Sequence, residues 1–172
     1  VGADGVAARK DDRPIRFRPH HFLCALGFQG KGYSDRFTAN MAAIVDGRLR
    51  APGGDDLEIQ VIGAADDICA PCPKRIGRAC TTESRIRVLD RAHAAALRLA
   101  PREILTWGEA KARILAHVPP GSLKNLCRGC QWEPLGLCEA ALADLHRSCS
   151  SLNADATGPE AESKTPPEGG VR

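Results

Sequence analysis

One cysteine spacing occurs twice in this chain, as Cys69-x2-Cys72-x7-Cys80 and as Cys127-x2-Cys130-x7-Cys138. A close Cys-x2-Cys pair can set both sulfurs on one metal centre, and a third cysteine from the following loop narrows the site further. Thiolates so arranged suit zinc or an iron–sulfur cluster, and the repetition makes metal or cluster binding the leading expectation. Each triplet also lies where regular structure breaks. Pro71, Pro73 and Gly77 shape the first loop, and Gly129, Pro134 and Gly136 shape the second. Proline fixes its own φ and removes an amide donor, while glycine permits tight turns around sulfur.

A length of 172 residues bounds the fold to one domain with a modest core. The 43% hydrophobic content argues for a folded centre, but with only 4% aromatic residues its packing falls to aliphatic side chains. Val1 to Arg18 contain no long apolar core, and no run approaches the length of a bilayer span, so a reducing cytoplasm is expected. Cysteines there serve as ligands or catalytic groups, with disulfides the alternative that an even count of eight keeps open. A formal charge of +3 makes no case for nucleic acid. Arg9, Lys10, Arg13, Arg16 and Arg18 form a basic arm diluted by Asp4, Asp11 and Asp12, and it reads as a solvated tail.

Three segments follow: a flexible arm over residues 1–15, a single cysteine-rich metal-binding domain over 16–152, and a tail over 153–172 rich in Pro, Gly, Glu, Ser and Thr. Ser34 is a candidate N-cap for a helix that buries Phe37, Met41, Ile44, Val45 and Leu49. Residues 51–56 form a turn, after which Leu57, Ile59 and Val61 alternate with Glu58 and Gln60 as a half-buried strand. A helix after Cys80 turns Ile86, Leu89, His93 and Leu97 inward, and Pro101 interrupts it. Thr106 and Glu109 predict a capping box for the next helix, with Trp107, Ala110 and Ile114 facing the core. Pro119-Pro120-Gly121 ends that segment, Ser122 is a candidate cap for a short turn, and Leu137 to His146 reads as helical. The expected fold is mainly α: a compact helical domain with two cysteine-rich loops and one short strand or hairpin, a small α+β fold being the alternative.

Three cysteines leave a four-ligand site incomplete. Cys24 in His20-His21-Phe22-Leu23-Cys24 is the best candidate for the missing ligand. On a helix, His20 and Cys24 share a face, and His21 is a near neighbour. Seven cysteines and one histidine would complete two centres; Cys149, at the edge of the tail, is the alternative eighth ligand. Zinc could instead join Cys69, Cys72, Cys127 and Cys130 in one site, leaving Cys80 and Cys138 over. Iron–sulfur chemistry better explains the third cysteine at the same distance in each triplet. The leading expectation is therefore two 4Fe–4S clusters in an electron-transfer protein with a protein redox partner. A zinc-stabilised interaction module is one alternative. An enzyme with a histidine-ligated or open iron is another.

Other features read more plainly. Gly27 to Gly32 lack the spacing of a phosphate loop. Asp66 and Asp67 are expected to cap the first cysteine loop through backbone amides more readily than to bind metal. His93, His117 and His146 are expected at helix surfaces or boundaries. Trp107 is a core anchor, and Trp132 is a shield for a centre.

The motifs His20-His21-x2-Cys24, Gly30-Lys31-Gly32-Tyr33, Asp67-Ile68-Cys69-x2-Cys72-Pro73 and Cys127-x2-Cys130-x-Trp132 with Cys138 identify a resemblance. Over approximately residues 16 to 147 the chain resembles the small prokaryotic domain-of-unknown-function family 1284. The resemblance implies that His20, His21, Cys24 and both triplets act as one constellation and that Cys149 is peripheral. It implies no substrate or reaction.

Overall fold

The computed structural model describes residues 13–156, with side chains to residue 151. Most of the expected arm and tail lies outside the described residues. Within them the fold is mainly α, with six α-helices and two small sheets.

Strand β1 (Ile15–Phe17) pairs in parallel with β2 (Glu58–Val61), and β2 pairs antiparallel with β5 (Ile104–Thr106). The register places Ile15 beside Ile59 and Ile59 beside Leu105, so one face of the sheet is continuously apolar and buried. Arg16, Glu58 and Ile104 alternate onto the other face, as a half-buried sheet requires. Parallel strands need a crossover. Here it is made by α1 (His21–Gly27), α2 (Asp35–Ile44) and a π-helical turn over Val45–Leu49. The Ser34 hydroxyl accepts the Phe37 amide at 3.2 Å, and Phe37, Met41, Ile44, Val45 and Leu49 are all buried, as their spacing indicates.

The remaining elements carry the cysteines. A two-residue hairpin joins β3 (Arg75–Ile76) to β4 (Ala79–Cys80), and α3 (Glu83–Leu97) follows at once. Thr106 forms the expected reciprocal capping box with Glu109 at the start of α4 (Trp107–His117), with Trp107, Ala110 and Ile114 buried. The short α5 (Leu123–Leu126) leads into Cys127. Ser122 does not cap it, because its hydroxyl donates instead to the Pro119 carbonyl at 2.6 Å. Helix α6 (Leu137–Ala156) runs ten residues past His146. It packs along α1, which brings the two ends of the domain together.

Beneath these elements lies a charged group. Arg18 is only 1% exposed, not part of a solvated arm as its basic neighbours suggested. Its guanidinium donates to Asp90 at 2.8 Å and to Glu83 at 3.0 and 3.1 Å, so two carboxylates of α3 offset its desolvation. Of the rest of that arm, Arg13 and Arg16 pair with Asp67, while Arg9 and Lys10 lie outside the described residues. Losing one partner of a buried pair strands the other charge, so Arg18→Met is expected to cost about 3–5 kcal/mol in a urea titration. The Glu83 carboxyl is held below its ordinary value, first by the hydrogen bond from Arg18. Its stabilisation is present above the ordinary glutamate pKa of about 4.3 and is lost as pH falls through the lower folded value. The urea midpoint of the wild type should therefore fall steeply below about pH 4, and that of Glu83→Gln less steeply.

Candidate metal centre

Both Cys-x2-Cys pairs close on the same backbone hydrogen bond. The Cys72 amide donates to the Cys69 carbonyl at 2.9 Å, and the Cys130 amide donates to the Cys127 carbonyl at 2.8 Å. The next step repeats as well, with Arg75 N–H to Cys72 at 3.1 Å and Glu133 N–H to Cys130 at 3.4 Å. Gly129, inside the second pair, adopts φ +86°, a left-handed conformation that glycine takes without strain. The repeated spacing thus keeps these hydrogen bonds but not one backbone conformation, because Pro71 stands in the first pair where Gly129 stands in the second, and proline holds a negative φ. All eight cysteines are unpaired thiols.

The second triplet does not stand alone. Cys24, Cys127, Cys130 and Cys138 line one small cavity of about 30 Å³, walled by Leu23, Leu123 and Trp132. Helix α1 brings Cys24 there by lying against α6, which carries Cys138. Burial pushes the Cys24 thiol well above its ordinary pKa, and repulsion from Cys138, Cys130 and Cys127 adds to this. Burial likewise lifts Cys127 to about 12 and Cys138 to about 11. These are the signs of thiols crowded into low dielectric, where a bound cation would favour the thiolate instead.

His93 adds a polar contact. It is buried, as its place on the inward stripe of α3 indicates and against the surface or boundary position also expected of it, while His146 and His117 are partly exposed. The His93 Nδ1 faces the Leu89 carbonyl at 2.8 Å; a carbonyl only accepts, so Nδ1 carries the proton. Nε2 is left as an acceptor, 3.5 Å from the Cys127 sulfur.

The first triplet is differently placed. Cys69, Cys72 and Cys80 are each partly buried. Asp66, fully enclosed, organises this side. One oxygen accepts the Cys69 amide at 2.9 Å, and the other accepts the Arg18 amide at 2.6 Å and meets His21 Nδ1 at 2.5 Å. Burial opposes its charge, but His21 and these amides outweigh burial and hold its pKa at about 2. Asp67 accepts the Arg16 amide at 2.8 Å. Asp66 therefore caps the first cysteine loop, as expected, and also orients a histidine, whereas Asp67 accepts from β1 and not from that loop. Among the described residues, His21, Asp66 and Cys69 are the one set of three potential ligand atoms all within 4.8 Å of one another. The four thiols around Cys24 do not draw together that closely. At Cys80, burial opposes the thiolate but hydrogen bonds from Thr82 and Thr81 outweigh it, so the thiol is held below its ordinary value. Glu83 accepts the Cys80 amide at 2.9 Å, which ties this cysteine to Arg18.

His20 repeats the pattern of His21: its Nδ1 lies 2.6 Å from Asp90. Sequence reasoning had flagged both histidines, but not Arg18, Glu83 or Asp90. The available signal was an aspartate beside the inward stripe of α3, next to Leu89 and three residues before His93. Cys149 sits on α6 beyond these contacts and lines none of the cavities that hold the other thiols.

Gly27 marks where α1 and α6 touch. A Cβ built there would stand 2.6 Å from both Cα and Sγ of Cys138. Gly27→Ala is expected to cost about 1–3 kcal/mol by overpacking, measured by thermal melts. Gly47→Ala, at a position with room for a methyl group, should change stability by less.

Comparison with known proteins adds a family and no activity. No curated protein and no solved structure matches the chain. A family model described as a protein of unknown function (DUF1284) matches residues 32–136, taking in the whole first triplet and Cys127 and Cys130, but neither Cys24 nor Cys138. With more than half of its length matched, the chain belongs to that uncharacterised family.

Proposed function

We propose that the protein binds iron–sulfur clusters, two of the 4Fe–4S type, and passes electrons to or from a protein partner. The observation that carries this reading is the gathering of four thiols, Cys24 with Cys127, Cys130 and Cys138, around one cavity that Leu23, Leu123 and Trp132 line together with Glu133 and Glu139. The donor set fits a cluster better than a single ion. Four thiolates on one zinc stand roughly 3.8 Å apart, from a Zn–S distance of 2.3 Å and tetrahedral geometry. The looser grouping here suits ligands that bind separate irons. When bound, such a group supplies one-electron transfer.

The chain's own residues have definite parts. Leu23, Leu123 and Trp132 exclude water from the thiols. His93 Nε2, 3.5 Å from the Cys127 sulfur, is placed to accept the proton that Cys127 would give up on ligation, while burial of the ring works against its holding that proton. Cys69, Cys72 and Cys80 offer a second set of three thiolates. His20 and His21 each have Nδ1 held by a carboxylate and a ring on the cavity that Cys24, Cys130 and Cys138 also line, and His21 lies in one close group with Asp66 and Cys69 of the second set. Eight free thiols suit a reducing compartment such as the cytoplasm. Among the described residues no helix is long and apolar enough to cross a membrane.

The test is iron, acid-labile sulfide and zinc per chain on protein purified without oxygen. About eight irons and eight sulfides are expected for two such clusters. Cys24→Ala should lose about half of both, and Cys149→Ala should lose neither. Zinc without sulfide, or full retention in Cys24→Ala, would overturn the assignment.

A further inference from the structure

A second, larger cavity of about 120 Å³ opens beside the four thiols. Cavities of this order hold a molecule of about the size of benzene. Its wall is apolar, with Phe37, Met41, Ile68 and Leu89 among the lining residues, and Trp132 stands between it and the smaller cavity. Its charge is one-sided. No aspartate or glutamate lines it, whereas Lys31, Lys74 and Arg85 do.

These groups are sorted by depth. His20 and His21 side chains are 12% and 10% exposed, while Lys31 and Arg85 are exposed and Lys74 is half-buried. Lys74 lies 4.4 Å over the Tyr33 ring and donates to Gln131 at 3.0 Å, which fixes its ammonium beside the opening. The Arg85 guanidinium is held by the Gly129 carbonyl.

The deep histidines have a defined chemistry. Asp90 and Asp66 are carboxylates and accept, so each Nδ1 carries a proton, and in the neutral ring Nε2 presents a lone pair. Neither Nε2 has a hydrogen-bond partner among the described residues, yet no buried side-chain nitrogen is left unsatisfied, so both are open to the cavity they line. The two rings are 4.2 Å apart between centroids, so both Nε2 atoms serve one small region.

We infer that this cavity binds a small organic anion whose acid group meets the lysines and whose far end carries a hydroxyl or amine proton for the histidines. The cations at the mouth match the acid, the apolar wall matches the body, and the paired Nε2 lone pairs match a donor at the closed end. Such a ligand would lie against the wall formed by Cys24, Cys130 and Cys138, within reach of whatever those thiols hold. The inference goes beyond the electron-transfer reading and stands on the cavity's own groups.

The test is calorimetric titration of the protein as purified, with iron and sulfide measured on the same sample so that failure of the cluster reading is seen separately. The probes are 4-hydroxybenzoate, benzoate and 4-hydroxybenzyl alcohol. The first is expected to bind at least tenfold tighter than either of the others. In Lys31→Met, which leaves the Lys74–Gln131 contact in place, the advantage over the alcohol should shrink. In His20→Gln the advantage over benzoate should shrink. Equal affinity for all three probes would reduce the cavity to an apolar hole and overturn the proposal. No binding of any probe would overturn it as well, and would leave the cations as counter-charges for the thiolates.

Discussion

The arrangement depends on one buried cation. Arg18 sits at the junction of β1 and α1, and its hydrogen bonds reach both α3 carboxylates that matter to the site. Through Glu83 it is linked to the Cys80 amide, and through Asp90 to the His20 ring. Its own amide meets Asp66, which orients His21 and closes the Cys69 turn. A buried charge of this kind is weak as a source of stability but strong as a fixer of geometry, because each carboxylate has only one arrangement that leaves no charge unpaired.

The two cysteine loops meet across this scaffold without being equivalent. Their Cys-x2-Cys turns share two backbone hydrogen bonds, yet the second gains a fourth thiol from α1 and the first gains a carboxylate-held histidine nearby. Contacts between them are polar: Lys74 of the first loop reaches Gln131 of the second, and Arg85 of α3 reaches Gly129. The same two contacts frame the larger cavity, so loop placement and cavity shape are one feature.

Much of the local structure was legible from the residues. Ser34, Thr106 and Glu109 cap as their types and spacing indicate, and Cys24 joins the helical face expected of it. Strands β1 and β5 were not legible. Each is three residues long, too short to show alternation, and exists because β2 offers both its edges. Arg18 was misread because its four basic neighbours are a composition signal, whereas its burial follows from Glu83 and Asp90, more than sixty positions away. His93 was assigned two roles, and only packing against Cys127 selects between them.

The contact of α1 with α6 also bears on the order in which the protein is made. Cys24 and Cys127 are separated by more than a hundred residues, so the four-thiol set closes a loop that takes in most of the domain. A chain still emerging from the ribosome carries Cys24 and the first triplet long before Cys138 exists. The set can form only after synthesis has passed α6, when the ends of the domain meet. A ligand shared by all four sulfurs would then act as a clasp between first and last helices, removing the entropy of one long loop at the final step of folding.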